Sequence, residues 1–403
     1  MAQVVVTGMG CISSLGPDAP SHVEAAIEGR SGIAPTTLLP PDRLPGCMVA
    51  EVKGFDPAEH IDRRRLGMTD RAAQFALVAA KEAVDSSGVE IDEDLGRRTA
   101  VVLGTGVGGM TTIDDNFRRL YQEGSTRLPP FTIPKLMVNA PASHLSMAFG
   151  ITGPAWAVAT ACSSSNHAIG QAMQLVRSGT VDVAITGGAE AVITYGCLKA
   201  WEALRVMAPD TCRPFSHDRR GMIIGEGAAV LVLESMERAR ARGAVIHGEI
   251  AGFGMSSDAG DLVQPSADGA ARAMAAALAD AGLAPTDIAY VNAHGTGTPA
   301  NDPTETRAIH GAFGEHAKRL AVSSTKSMHG HALGAAGALE IVATLGAMNR
   351  RIVLPTMNFT EADPECDLDY VANAARELDV SAALSNSFAF GGLNAVLALR
   401  RVD

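Results

Sequence analysis

Short runs of Val, Ile and Ala, many closed by glycine, alternate along the chain with Ala-rich stretches whose apolar residues recur at helical spacing. The runs predict strands over Val4–Thr7, Ala100–Gly104, Val181–Gly187 and Ala228–Leu233, and a second set over Glu249–Phe253, Ile288–Asn292, Leu320–Ser323, Ala382–Leu384 and Ala395–Leu399. The Ala-rich stretches predict helices over Asp70–Ser86, His167–Ser178, Ala270–Ala281, Pro303–Phe313 and Ala335–Asn349. Such alternation implies an α/β protein with a mainly parallel sheet covered by helices on both faces. The order is also doubled. Gly225-Glu-Gly-Ala-Ala-Val-Leu-Val-Leu233 is echoed by Gly391-Gly-Leu-Asn-Ala-Val-Leu-Ala-Leu399, and the strand–elbow–helix around Cys162 by the segment from Leu320 into Ala335–Asn349. Two similar α/β halves, residues 1–243 and 244–403, are expected, with the charged helix Glu234–Arg242 at the joint.

A chain of 403 residues can bury a substantial core. Aromatics make up only 4%, so small aliphatic side chains must do most of the packing. The formal charge of −11 argues against general nucleic-acid binding, but leaves room for local basic patches, of which Arg63-Arg64-Arg65, Arg127 and Arg205 are candidates for docking an acidic partner. Six cysteines are scattered with no Cys-x-x-Cys pair, which suits reduced thiols in the cytoplasm. The N-terminus has no basic region before its apolar run and reads as a buried strand, and no uncharged apolar stretch is long enough to span a membrane.

The candidate chemistry is concentrated in a few small-residue loops. Cys162 lies in Ala159-Thr-Ala-Cys-Ser-Ser-Ser165 between an apolar strand and a helix, where free helix N–H groups and the positive dipole end favour thiolate. His294 follows a strand in Asn292-Ala-His-Gly-Thr-Gly-Thr-Pro299, with Asp302 as the expected N-cap and Pro303 as the first residue of the next helix. Lys326 and His331 share Lys326-Ser-Met-His-Gly-His331, and Glu340 is a candidate partner for the lysine or for a bound cation. No cysteine or carboxylate beside His329 and His331 completes a zinc set, so no metal is expected. Gly104-Thr-Gly-Val-Gly-Gly109 lacks the acidic residue of a dinucleotide site and reads as a close-packing turn. Phe388-Ala-Phe-Gly-Gly-Leu-Asn394 sets Phe390 before a glycine pair, Gly391 and Gly392, that could supply backbone N–H groups. One thiol and two imidazoles suit acyl transfer coupled to a second chemical step.

These motifs, with Cys212-Arg-Pro-Phe215, Gly225-Glu-Gly-Ala228 and Asn386-Ser-Phe-Ala-Phe-Gly-Gly392, resemble the elongating 3-oxoacyl-[acyl-carrier-protein] synthases of the thiolase superfamily over nearly the whole chain. Ser163-Ser-Ser-Asn-His-Ala-Ile169, Leu198-Lys-Ala-Trp-Glu-Ala203 and Asp363-Pro-Glu-Cys-Asp-Leu-Asp369 look especially like nodulation-type ketosynthases. The resemblance implies a thiolase-like fold of two duplicated halves in an α-β-α-β-α arrangement. It implies decarboxylative condensation of malonyl-carrier protein with an acyl chain on Cys162, in fatty-acid or polyketide-type biosynthesis. His294 and His331 would polarise the malonyl thioester, Lys326 and Glu340 would tune the charge, and the backbone of Cys162 and Phe390 would hold the oxyanion. Phe390 would gate the acyl pocket, Val107 would form its wall, and Thr296 and Thr298 would hold the pantetheine amides. No cofactor is required, because the substrates arrive on the carrier's phosphopantetheine arm. A homodimer is implied, or a heterodimer with a related subunit. Two departures stand out: Asp261-Leu-Val-Gln-Pro265 lacks the usual Thr before its Pro, and His329 replaces a usual Thr. Thiolases use a second Cys that Phe388–Asn394 lacks. The rival reading is a non-catalytic or partner-dependent chain-length-factor subunit, a class that typically lacks the nucleophile.

Overall fold

Runs of β-branched residues become strands because their side chains pack well on a pleated surface. In the computed structural model, which describes residues 2–40 and 42–402, ten such strands form the main sheet. They are β1 (Val4–Ser13), β2 (Thr99–Gly104), β3 (Ala155–Val158), β4 (Val183–Glu190) and β5 (Gly227–Ser235), followed by β6 (Gly248–Ser257), β7 (Tyr290–Asn292), β8 (Ala321–Ser323), β9 (Ala382–Ala389) and β10 (Leu393–Arg400). Their spatial order is β8-β7-β9-β10-β6-β1-β5-β4-β2-β3. Read outward from the centre, the halves repeat: β1-β5-β4-β2-β3 has the same strand order and directions as β6-β10-β9-β7-β8. The doubling seen in the Gly-turn echo is therefore a doubling of topology. Within the sheet, the halves are joined where β1 meets β6, at Val5↔Glu249 and Val6↔Gly248.

The sheet is mixed rather than mainly parallel. β2, β3 and β4 pair in parallel, as do β7, β8 and β9, but β5 and β10 run antiparallel to both of their neighbours. In the second half the reason is local. Gly391 and Gly392 hold φ of 83° and 69°, conformations that suit glycine, so β9 can turn straight back into β10 without a helical crossover.

Strand alternation divides the side chains among three apolar layers. Val101 and Leu103 of β2 face outward to α1 (Arg71–Ser87), while Ala100 and Val102 face inward. The inward layer holds α2 (Ser164–Arg177) and α5 (Ala336–Asn349) between the two half-sheets. A third layer packs α3 (Ala267–Ala281) and α4 (Asn301–Phe313) on Val291, Val322, Leu384 and Val396. The result is the expected α-β-α-β-α stack. Sheets on both sides explain why α5 is apolar nearly all round, without a polar face. Where α2 and α5 cross, a Cβ on Gly337 would stand 2.2 Å from Asn166 Oδ1, so only glycine permits the approach.

The sequence pattern puts a strand before Cys162 without bounds, the edge strand β3, and misses the helices Ala19–Ile27, Met110–Tyr121, Ala140–Phe149 and Tyr195–Ala203. β3 is only four residues, Ala-Trp-Ala-Val, too short for a clear run. Met110–Tyr121 is polar on average, although Met110, Ile113, Phe117, Leu120 and Tyr121 do recur at helical spacing. The expected joint helix shortens to Met236–Ala241 because Ser235 both ends β5 and caps the helix, with Glu234 inside the strand.

Candidate active site

β3 feeds the elbow Thr160-Ala161-Cys162, in which Ala161 is held at φ 51°, a left-handed conformation costly for a residue with a Cβ. The strain turns the chain sharply through Ala161–Ser163 into α2. The serines after the cysteine stitch this turn together rather than capping the helix: Ser164 Oγ accepts from Thr160 N (2.9 Å) and donates to Ala161 O (2.7 Å), and Ser163 Oγ donates to Thr160 O (2.9 Å). Underneath, a Cβ on Gly104 would lie 2.5 Å from the backbone of Ser164 and Ser165. The glycines after β2 thus serve close packing.

Cys162 is 6% exposed. Burial pushes its thiol up to about 12, and the Glu190 carboxylate adds to that; the Lys326 charge and the N–H groups of Phe390 and Cys162 pull the other way. The helix terminus was expected to favour thiolate, but removing the sulfur from water outweighs it. The amide that reaches the sulfur from the Gly-rich turn is that of Phe390. Gly391 N–H donates instead to Leu262 O (2.8 Å) and Gly392 N–H to Ala389 O (3.0 Å), so neither glycine supplies a free donor.

His294 leaves the end of β7 on a loop clamped by a buried carboxylate, Glu305, which accepts from the N–H groups of both His294 and Gly295 at 2.8 Å. Asn386 Nδ2 donates to the same Glu305 Oε1 at 3.1 Å, tying the loop to β9. His331 is fixed by its backbone: its N–H donates to Ile223 O (2.7 Å) and its carbonyl accepts from Gly225 N–H (2.9 Å). The Gly225-Glu-Gly motif therefore carries the second imidazole as well as starting β5. The two rings stand at 85° with centroids 5.4 Å apart. Burial, reinforced by the Lys326 charge, holds both well below the ordinary imidazole value, so both are neutral. Among the described residues, neither nitrogen of His331 has a hydrogen-bond partner, nor does Nδ1 of His294. Unspent, buried polar atoms of this kind suit a ligand.

Lys326 is fully buried and ion-paired with Glu340, a partner the sequence offered for it. His329 turns away from this centre: its Nε2 meets Thr325 Oγ1 (2.9 Å), and its ring lies 5.8 Å from that of His22. The two histidines of His329-Gly-His331 thus belong to different neighbourhoods.

Cys162, His294 and His331 open on one cavity of about 270 Å³, also lined by Thr296, Thr298, Phe388, Phe390, Trp201 and Arg205. Phe390 stacks on Trp201 with centroids 6.0 Å apart. The hydroxyls of Thr296 and Thr298 meet at 2.9 Å. Val107 joins the apolar cluster around Cys162 with Ile193, Leu198, Ile224 and Leu333. Of the basic candidates, Arg205 lines the cavity. Arg63, Arg64 and Arg65 lie on the short helix Arg63–Leu66, Arg65 lining a separate depression against α1, and Arg127 is exposed on a loop. In the departing loop, Asp261 accepts from the N–H groups of Val263 (2.7 Å) and Gln264 (2.9 Å), and Val263 takes up the cavity wall.

Asp302 is not the expected N-cap. The helix begins at Asn301, and Asp302 points back to accept from Phe215 N (2.7 Å) and Gly297 N (3.2 Å). Demand from two loops outweighs capping. The sequence reading also passes over Glu305 and Glu190. Their signal was present: a lone carboxylate at the end of the apolar run Val183–Glu190, and another on a helix that the structure buries.

Models of the beta-ketoacyl synthase N-terminal and C-terminal domains match residues 1–239 and 247–360. The chain belongs to the beta-ketoacyl synthase family. Nodulation protein E of Rhizobium sp. (strain N33) is 49% identical over 400 residues, covering 99% of each chain. The 3-oxoacyl-[acyl-carrier-protein] synthase 2 of Staphylococcus aureus (strain COL) is 41% identical over 408 residues, 100% of this chain and 99% of that one. Among solved structures, the ishigamide ketosynthase/chain length factor superposes with a TM-score of 0.95 at 38% identity, and a beta-ketoacyl synthase from Burkholderia phymatum STM815 with 0.92 at 37%, each covering 100% of both chains. This beta-ketoacyl synthase is thus similar both to nodulation-type and to synthase 2 proteins, as its motifs suggested.

Proposed function

We propose that the chain condenses a Cys162-bound acyl group with malonyl-carrier protein to give a 3-oxoacyl-carrier protein. The observation that carries the reading is the convergence of a buried thiol, two neutral imidazoles and two backbone donors on one cavity. Cys162 first takes the acyl chain as a thioester, its Sγ–H proton leaving with the carrier thiol. His294 and His331 then hydrogen-bond the malonyl thioester oxygen. The carboxylate leaves as carbon dioxide, and the electron pair of the broken C–C bond passes into an enolate on that oxygen. The enolate carbon attacks the Cys162 thioester, whose oxyanion lies against the N–H groups of Cys162 and Phe390. The C–S bond breaks, its electron pair staying on sulfur, and the thiolate takes up a proton from solvent to restore the Cys162 thiol. Neutral imidazoles act as donors here without a proton being abstracted from carbon.

Burial keeps the imidazoles neutral, and the charge of Lys326, paired with Glu340, reinforces it. Phe390 gates the cavity, and Gly391 gives the gate its turn. Thr296 and Thr298 hold the pantetheine amides, and Val107 forms part of the acyl-pocket wall. Arg205 at the mouth, with Arg63, Arg64, Arg65 and Arg127, receives the acidic carrier protein, which brings the substrates so that no further cofactor is called for. Residues 1–243 and 244–403 act as two halves of one cytoplasmic enzyme. A dimer through the β3 edge is supported by its neighbourhood: Tyr121, Ile133 and Met147 are 82%, 62% and 61% exposed on the segments before it. The presence of Cys162, His294, Lys326 and His331 together favours a catalytic subunit over a chain-length factor.

The test is incubation with malonyl-carrier protein and a panel of acyl-carrier proteins, read by intact-protein mass spectrometry with Cys162→Ala alongside. A 3-oxoacyl product, with an acyl adduct on the wild type alone, is expected. No adduct and no product across the panel would overturn the reading.

A further inference from the structure

The end of β4 places a carboxylate, Glu190, at 0% exposure beside the nucleophile elbow. Among the described residues no lysine or arginine pairs with it; its partners are amides and one hydroxyl. Oε2 accepts from Gly106 N–H (2.6 Å) and from Gly334 N–H (3.0 Å). Oε1 accepts from Thr105 Oγ1 (3.1 Å) and from Val107 N–H (3.4 Å). These donors come from two segments far apart in the sequence. Thr105, Gly106 and Val107 form the turn after β2 that walls the apolar cluster around Cys162. Gly334 belongs to the turn Leu333–Ala335, where Leu333 is held at φ 44° two positions after His331.

The backbone packs closely around this carboxylate. A Cβ on Gly106 would stand 2.8 Å from Glu190 Oε2, and one on Gly188 would stand 2.6 Å from Gly334 O. The two turns are thus drawn close enough that one side chain spans both. A buried carboxylate kept for packing alone would be a poor choice, since leaving its charge without a cation is costly. Burial indeed pushes its carboxyl up to about 7, against the pull of the same four donors.

We propose that Glu190 is a positioning residue that sets the acyl-pocket wall at Val107 and the turn following His331 in a common register. The inference rests on the acyl-pocket reading of Val107 given above. One carboxylate then couples which chain fits on Cys162 to where the condensing imidazole stands.

The two oxygens make the proposal separable. In Glu190→Gln, the remaining carbonyl oxygen can keep the Gly106 and Gly334 amides. The new NH₂ group then faces Thr105 Oγ1, which can accept, and Val107 N–H, which cannot. Glu190→Gln should therefore loosen the wall and spare the strap to the His331 turn, whereas Glu190→Ala should release both. The experiment measures two rates on each purified full-length variant: condensation across an acyl-carrier-protein length series, and malonyl-carrier-protein decarboxylation without an acyl primer. For Glu190→Gln, the preference for the best chain over a longer one should fall at least about fivefold, with decarboxylation within about twofold of wild type. For Glu190→Ala, both should fall. An unchanged chain-length ratio in Glu190→Gln would overturn the inference, as would equal loss on every chain, the mark of a structural role alone. Should Glu190→Ala fail to fold by circular dichroism, the Glu190→Gln ratio decides. A wild type that forms neither adduct nor product would sink the condensing reading itself; an active wild type with an unmoved Glu190→Gln sinks only this inference.

Discussion

The rings of His294 and His331 stand nearly perpendicular, with centroids 5.4 Å apart, and both are buried beside the Lys326–Glu340 ion pair. A nearby cation and the loss of water act in the same direction on an imidazole: both disfavour its protonated form. The site therefore presents two neutral donors where ordinary histidines would be part-charged near neutrality.

The first consequence is a pH profile. Both imidazoles lie well below 6.5, so malonyl decarboxylation should show no loss centred near pH 6.5 as acid is added. A rate that halves there would contradict the burial argument. Stability has the opposite sensitivity. The unfolded chain binds these protons at the ordinary value while the folded chain refuses them, so stability falls as pH drops through and below 6.5. Urea midpoints at a series of pH values measure this.

The buried ion pair makes a second case. Lys326→Met leaves Glu340 buried without its cation, and should cost about 3–5 kcal/mol of stability. Replacing both, Lys326→Met with Glu340→Leu, should recover most of that while activity stays low. If the double variant regains condensation, the pair serves the fold rather than the chemistry.

Cys162 carries the third. With its thiol pushed up to about 12, alkylation by iodoacetamide at neutral pH should be slow, and should climb through pH 9 without a plateau. Lys326→Met removes a charge that pulls the thiol down, and should slow alkylation further. A plateau below pH 9 would show that the helix terminus and backbone donors outweigh burial after all.

Arg205 lines the cavity from an exposed position at its mouth. Arg205→Glu should raise KM for a carrier-bound acyl substrate several-fold, while a small acyl thioester keeps its KM. Equal loss with both substrates would place Arg205 in the site's structure and remove it from docking.

Much of this was legible in local pattern. Glycine-closed Val/Ile runs marked nine of the ten main strands, and the motif echo announced the doubled topology that the strand order displays. Cys162, His294, Lys326 and His331 stood out because charged or reactive residues are conspicuous in small-residue loops, and Glu340 as a carboxylate on the Ala-rich helix after them. What local pattern could not carry was direction and partnership. The antiparallel β5 and β10 depend on how the chain returns to the sheet. The capture of Asp302 by Phe215 and Gly297 depends on a loop 87 residues away. The balance of charges on Cys162 depends on burial that several segments create together. Sequence determined the elements, their duplication and the reactive residue types, because these follow from spacing and propensity along the chain. Only the tertiary structure decided which carboxylates are captive, which amides remain free and which groups stay neutral, because those depend on excluding water among segments brought together from both halves.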